Sequence, residues 1–98
     1  TGTYKEFYMH RTGHWLGLDV HDAGEYKNVS KEWKQLKKGM TLTVEPGCYI
    51  RPSSKVSKEF WNIGIRIEDD VLVTQDGYEV LTKDSPKTIE SIEALMAK

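Results

Sequence analysis

The clearest alternation of apolar and polar positions runs from Thr41 to Glu45, where Leu42 and Val44 point one way and Thr41, Thr43 and Glu45 the other. That period of two, in β-branched residues, predicts a strand. Pro46-Gly47 interrupts the ladder and Cys48-Tyr49-Ile50 resumes it, so the strand carries a break. Farther on, Ile63, Ile65 and Ile67 alternate with Gly64, Arg66 and Glu68, and the run continues through Val71-Leu72-Val73. Asp76-Gly77 then supplies a hairpin turn into Tyr78-Glu79-Val80-Leu81. Between the two runs, residues 51–59 mix proline, serine and lysine without a period, as an exposed loop does.

Upstream, Phe7-Tyr8-Met9 predicts a short strand leading into a loop punctuated by Gly13 and Gly17. Ser30 can cap a short helical turn through Trp33 and Leu36, stopped by Lys37-Lys38-Gly39. At the other end, Asp84 or Ser85 caps a helix opening on Pro86, with Ile89, Ile92, Leu95 and Met96 at helical spacing. This helix is expected to lie as an amphipathic lid on the sheet. The fold class that results is α+β, with a mainly antiparallel, curved sheet.

Composition limits the partners. With 98 residues, 38% hydrophobic and 30% charged, the chain suits one small soluble domain with a core. A net charge of −1 gives no field that would gather nucleic acid or an anionic membrane. No apolar run approaches the ~20 residues that span a bilayer, and residues 1–6 hold no apolar signal core; a cytoplasmic location is the expectation. The single cysteine, Cys48, excludes an intrachain disulfide and is expected as a small buried hydrophobe. The chain starts without Met and reads as part of something longer.

All three histidines, His10, His14 and His21, fall within one glycine-punctuated segment. Glycines let backbone approach a bound group closely, and neutral imidazole is both a metal ligand and a proton carrier. Glu45 stands directly before a strand break, and Arg66 and Glu68 share one face of their strand. These charged residues can lie on a solvated face, in surface ion pairs worth ~0–1 kcal/mol each. Alternatively, the strands pair and both carboxylates face a cleft with His14. Their repulsion then calls for a cation. Two carboxylates and an imidazole suit manganese, zinc, cobalt or iron, with Arg66 orienting a carboxylate, and a carboxylate shared by two ions favours hydrolytic use.

The segment His10 to Asp22, the stretch Gly39-Met40-Thr41-Leu42-Thr43-Val44-Glu45-Pro46-Gly47 and the stretch Gly64-Ile65-Arg66-Ile67-Glu68-Asp69-Asp70 resemble, in order and spacing, the C-terminal motifs of the pita-bread metallopeptidases. Within that family the chain is most similar to bacterial aminopeptidase P, with prolidase as neighbour. The resemblance implies the C-terminal half of a pita-bread fold, a curved, mainly antiparallel sheet with flanking helices, and residues 1–98 as part of a peptidase catalytic domain. It implies His14, Glu45 and Glu68 as metal ligands, Glu68 bridging two divalent ions, manganese first among the candidates. Glu45 doubles as general base. His21 meets the scissile amide or its oxyanion, His10 lines the proline side, and Arg66 supports the ligands.

The implied reaction removes an N-terminal residue that precedes proline; separately, a partial fold leaves a sheet face and edge uncovered, so a homo-oligomer is expected. Arg11 stands where relatives often carry glycine, and the two aspartates that complete the family's metal pair have no counterpart here. A prolidase-type dipeptidase and a non-catalytic binding module of the same fold are the competing readings. The second has no physical need for two carboxylates facing one histidine.

Overall fold

The computed structural model describes residues 2–97. Five strands and one helix follow in order: β1 (Thr41–Val44), β2 (Gly47–Ile50), β3 (Ile63–Arg66), β4 (Asp69–Val73), β5 (Tyr78–Val80) and α1 (Ile89–Met96). Short 3-10 turns occupy Thr3–Glu6 and Lys58–Phe60. Every strand pair is antiparallel. β1, β4 and β5 form one sheet in that order, and β2 and β3 form a separate ribbon. The expected α+β class with antiparallel sheets is what the chain adopts.

The register accounts for this division. Val44 faces Asp69 across β1 and β4, while Gly47 faces Arg66 across β2 and β3. Glu45-Pro46 therefore lies opposite Ile67-Glu68, and both chains leave the ladder together. Proline at position 46 has no amide to donate, and its carbonyl accepts from Ile67 N at 3.3 Å. The expected break after Glu45 is present. The expected continuous strand from Ile63 to Val73 is not, because Ile67 pairs across the gap rather than along a ladder.

On its other edge β1 is flanked by the irregular segment Thr12 to Leu16. Thr43 N donates to His14 O at 2.9 Å, Glu45 N to Thr12 O at 2.7 Å and Leu16 N to Thr41 O at 3.1 Å. Gly13 permits this approach: a Cβ there would fall 2.2 Å from the Thr43 carbonyl oxygen. The glycine thus admits neighbouring backbone, where the sequence suggested a bound group.

Several local expectations fail for identifiable reasons. Phe7-Tyr8-Met9 forms no strand, although Phe7 O accepts from Tyr49 N at 2.8 Å. Residues 30–36 form no helix. Asn28 closes a turn there, its Oδ1 accepting from Glu32 N at 3.0 Å and its carbonyl from Lys31 N at 2.9 Å, with Lys31 at φ 63; Lys27 and Trp33 form an antiparallel bridge across it. A side chain that offers the backbone such a local partner competes with helix. The C-terminal helix begins at Ile89, later than expected. Thr88, not Asp84 or Ser85, is the cap, its side chain accepting from Ser91 N at 3.2 Å, and Pro86 lies outside.

The hairpin of β4 and β5 forms as expected, closed by Thr74 N donating to Gly77 O at 3.0 Å. Beyond β5, Thr82 Oγ1 donates to Asp69 Oδ1 at 2.6 Å and accepts from Asp70 N at 3.1 Å. Lys87 Nζ reaches Asp69 at 3.1 Å and the carbonyls of Thr82 and Ser85. This cluster pins the chain after the hairpin to the start of β4. The Thr82 hydrogen bond, with Lys87 acting in the same direction, holds the Asp69 carboxyl below the usual aspartate value.

The expected core is absent. Among the described residues no apolar side chain is fully buried, and the one buried polar residue is Thr43, 2% exposed. Leu42, Val44, Val71, Val73 and Val80 share one face of the β1-β4-β5 sheet and line an open groove of about 550 Å³. No residue of α1 lines it, and Ile89 and Met96 are exposed, so the helix does not cover the sheet as a lid. Cys48 is exposed rather than buried, because nothing covers the β2-β3 ribbon on the side where its partner Ile65 also faces solvent.

Candidate metal centre

The polar face of β1 carries Thr41, Thr43 and, one step past its end, Glu45. Glu45 leaves the strand where its amide turns to Thr12 O, and its carboxylate, 13% exposed, reaches back over β1. Oε1 accepts from Thr43 Oγ1 at 3.1 Å. Across the paired gap, Arg66 at the end of β3 and Glu68 just beyond it lie on the same side. Arg66 Nε stands 3.8 Å from Glu45 Oε2 and 3.3 Å from Glu68 Oε2, so one guanidinium spans both carboxylates. The paired breaks aim both acids at one point.

His14 completes the group from the flanking segment. Its amide donates to Thr43 Oγ1 at 3.1 Å and its carbonyl accepts from Thr43 N, which fixes the backbone on which the ring is mounted. The ring is 15% exposed. Nδ1 lies 2.9 Å from Trp15 O, and since a carbonyl only accepts, Nδ1 carries the proton. Nε2 then faces Glu45 Oε1 at 3.2 Å. Both atoms offer lone pairs toward the same point, as two ligands of one cation do.

One ligand atom from each of His14, Glu45 and Glu68 lies within 4.8 Å of the others, with Glu68 34% exposed. Two carboxylates and one correctly tautomerised imidazole converging in this way fit a divalent cation. The ion pairs of Arg66 with Glu45 and Glu68 are those expected of a solvated face; the approach of His14 to the same two carboxylates is what goes beyond it.

His21 and His10 occupy different places. The His21 ring lies 4.4 Å from the His14 ring at 59° and is exposed, at the edge of the cluster. His10 belongs to an aromatic group beside it: Nδ1 donates to Arg11 O at 2.7 Å, which leaves Nε2 to accept from Tyr49 OH at 2.6 Å. Tyr8 meets the His10 ring edge-on at 4.8 Å. The Tyr8 hydroxyl is shut off from solvent without a hydrogen-bond partner of ordinary geometry. That burial pushes its ionisation up, and the charge of nearby Glu45 adds to the effect.

Three contributors carry no site signal in the sequence: Thr43 shares the face of Glu45 as a strand residue, Tyr49 falls in a ladder and Tyr8 in an apolar run. The alternation Thr41-Thr43-Glu45 ties the first to a site residue; nothing local marks the other two.

The sequence matches metallopeptidase family M24 over residues 1–75. The chain belongs to that family. It is 50% identical over 93 residues to the Xaa-Pro aminopeptidase of Haemophilus influenzae, covering 95% of this chain and 21% of that protein. The structure of Pseudomonas aeruginosa aminopeptidase PepP superposes with a TM-score of 0.87 at 62% identity, over 96% of this chain and 21% of that one. Zinc-substituted Escherichia coli aminopeptidase P, in complex with product, gives 0.86 at 49%, over 98% and 21%. The resemblance of the three motif blocks to aminopeptidase P is borne out, as is the pita-bread class. The chain spans about a fifth of the length of these relatives.

Proposed function

We propose that this chain forms the C-terminal part of the catalytic domain of a metal-dependent Xaa-Pro aminopeptidase, and that His14, Glu45 and Glu68 are its contribution to the metal ligands. The observation that carries the reading is the convergence of those three donor atoms within 4.8 Å. The family membership and the similarity to Xaa-Pro aminopeptidases support it.

In this reading His14, Glu45 and Glu68 would hold part of a pair of divalent ions, with Glu68 the ligand common to both, and the remaining donors would come from outside the described residues. The oxygen-rich donor set favours manganese, with zinc, cobalt or iron able to substitute. When bound, the metal polarises the scissile carbonyl and eases deprotonation of water.

The protein's own groups do the rest. Glu45 takes the proton of the attacking water, a general-base role that its 13% exposure shields from bulk solvent. Arg66 holds both carboxylates in place and offsets part of their repulsion. His21, exposed beside His14, donates toward the scissile amide or the oxygen on which charge develops. His10, held by Tyr49, lines the proline side. A dedicated pocket there is needed because proline presents a tertiary amide and a fixed ring.

The test is release of the first residue from peptides with proline in second position by the intact protein, after chelation and again after addition of manganese. Metal-restored release supports the reading. Absence of release at any metal concentration overturns it, and cleavage confined to Xaa-Pro dipeptides replaces it with the dipeptidase reading.

A further inference from the structure

We propose that Thr43 is a positioning residue of this centre, its hydroxyl fixing Glu45 and His14 relative to one another; the inference rests on the metal-ligand reading above. Thr43 is the one residue buried among those described, and it is polar. A buried hydroxyl is costly unless bonded, and both of its bonds go to members of the site. It donates to Glu45 Oε1 at 3.1 Å and accepts from the His14 amide at 3.1 Å.

A hydroxyl has a single proton. If it is given to Glu45, only lone pairs remain for the His14 amide, so the two bonds fix each other's direction. The oxygen that Thr43 holds, Oε1, is also the one that faces His14 Nε2 at 3.2 Å, while Arg66 lies near the other oxygen, Oε2. Each oxygen of Glu45 is therefore held by a different neighbour, and the carboxylate plane cannot turn freely. The threonine itself is fixed by the strand: its amide donates to His14 O at 2.9 Å, and it faces Asp70 in the β4 register. Its β-branch restricts χ1, which serine lacks.

The strand thus contributes to the centre through a residue that does not itself reach the metal. Partners that orient ligands in this way change metal affinity or activity by about 10–100-fold when removed.

The experiment uses the intact protein with Thr43→Val, which keeps the shape and removes the hydroxyl, and Thr43→Ser, which keeps the hydroxyl. Manganese affinity is measured by electron paramagnetic resonance titration, alongside kcat, KM and thermal unfolding of the metal-free form. Thr43→Val is expected to lose about 10–100-fold in manganese affinity, with kcat falling more than KM rises, and Thr43→Ser to remain within a few-fold of wild type. If Thr43→Val does not fold, Thr43→Ser and Thr43→Ala differ only in the hydroxyl, and their affinity ratio carries the same expectation. Wild-type affinity in Thr43→Val, or equal affinities in the serine and alanine variants, overturns the positioning role and leaves the metal-ligand reading standing. If Glu45→Gln leaves manganese binding unchanged, the metal-ligand reading fails and this inference fails with it.

Discussion

Ile67 donates its amide to the carbonyl of Pro46 at 3.3 Å, and this one bond joins the interruptions of two strand pairs. On one side of it Val44 faces Asp69, and on the other Gly47 faces Arg66. Glu45 and Glu68 sit at the two interruptions, each two residues past a polar neighbour on its own face, Thr43 and Arg66. Their carboxylates can then converge on a histidine from a third segment.

Glu45 is held by three polar neighbours, Thr43, His14 and Arg66, which argues for a role that a neutral isostere cannot fill. Glu45→Gln in the intact protein is expected to abolish turnover and lower metal content while leaving the circular dichroism spectrum unchanged, since it removes a ligand charge and the proposed base together. Near-normal turnover with unchanged metal content would remove Glu45 from the mechanism.

His21 touches the ring of His14 but forms no part of the three-residue donor cluster. His21→Ala should therefore lower kcat by ~10²-fold or more while metal content stays near wild type. Steady-state kinetics with parallel metal analysis separate the two effects. A loss of metal with kcat preserved in metal-saturated enzyme would make His21 a ligand instead.

The reach of the sequence can be judged residue by residue. The alternation at Thr41–Val44 and the Asp76-Gly77 turn were enough for β1 and the hairpin, because a strand with one polar face and a two-residue turn signal are local patterns. The same alternation misled at Ile67, whose place in the ladder is taken by a cross-gap bond to Pro46 that no period reveals. Trp33 and Leu36 at helical spacing lost to the Asn28 turn, a case of side-chain competition with the helix backbone. At the site, the residue types of His14, Glu45 and Glu68 were visible, and their grouping was carried by resemblance. That Thr43 bonds to two of them depends on how segment 12–16 lies along β1, a tertiary fact.

Away from the site, Lys55 Nζ donates to Glu6 Oε2 at 2.9 Å and Ser53 Oγ to Glu6 Oε1 at 3.2 Å, tying the first 3-10 turn to the loop at 51–57. The Lys55 hydrogen bond, helped by Ser53, holds the Glu6 carboxyl below its ordinary value of 4.5. A carboxyl depressed on folding contributes stability that is present above the unfolded value and lost as pH falls through the folded one. The tie is expected to hold at neutral pH and to open below about pH 4.5. Amide exchange of residues 3–7, measured against Lys55→Met, should show acid-sensitive protection in the wild type only; equal protection in both at every pH would mean that the ion pair contributes nothing.

The 98-residue chain on its own should be inactive toward peptides with proline in second position and should bind divalent metal weakly. Three side chains offer one donor cluster among the described residues, and the two ions of the proposed reading would have mostly water for the remaining positions. The fold gives a second reason. With no apolar side chain fully buried and the Leu42, Val44, Val71, Val73 and Val80 face lining an open groove, the isolated chain presents apolar surface and the strand edge of β5, which has β4 as its single neighbour. Exposed surface and edges of this kind are covered by self-association or strand exchange, so a dimer or larger species is expected at micromolar concentration. Light scattering gives the mass, and a peptidase assay with added manganese gives the activity. A monomer with substantial metal-dependent turnover would mean that the second ion finds adequate ligands within this chain, and that the apolar sheet face is stable in water without a partner.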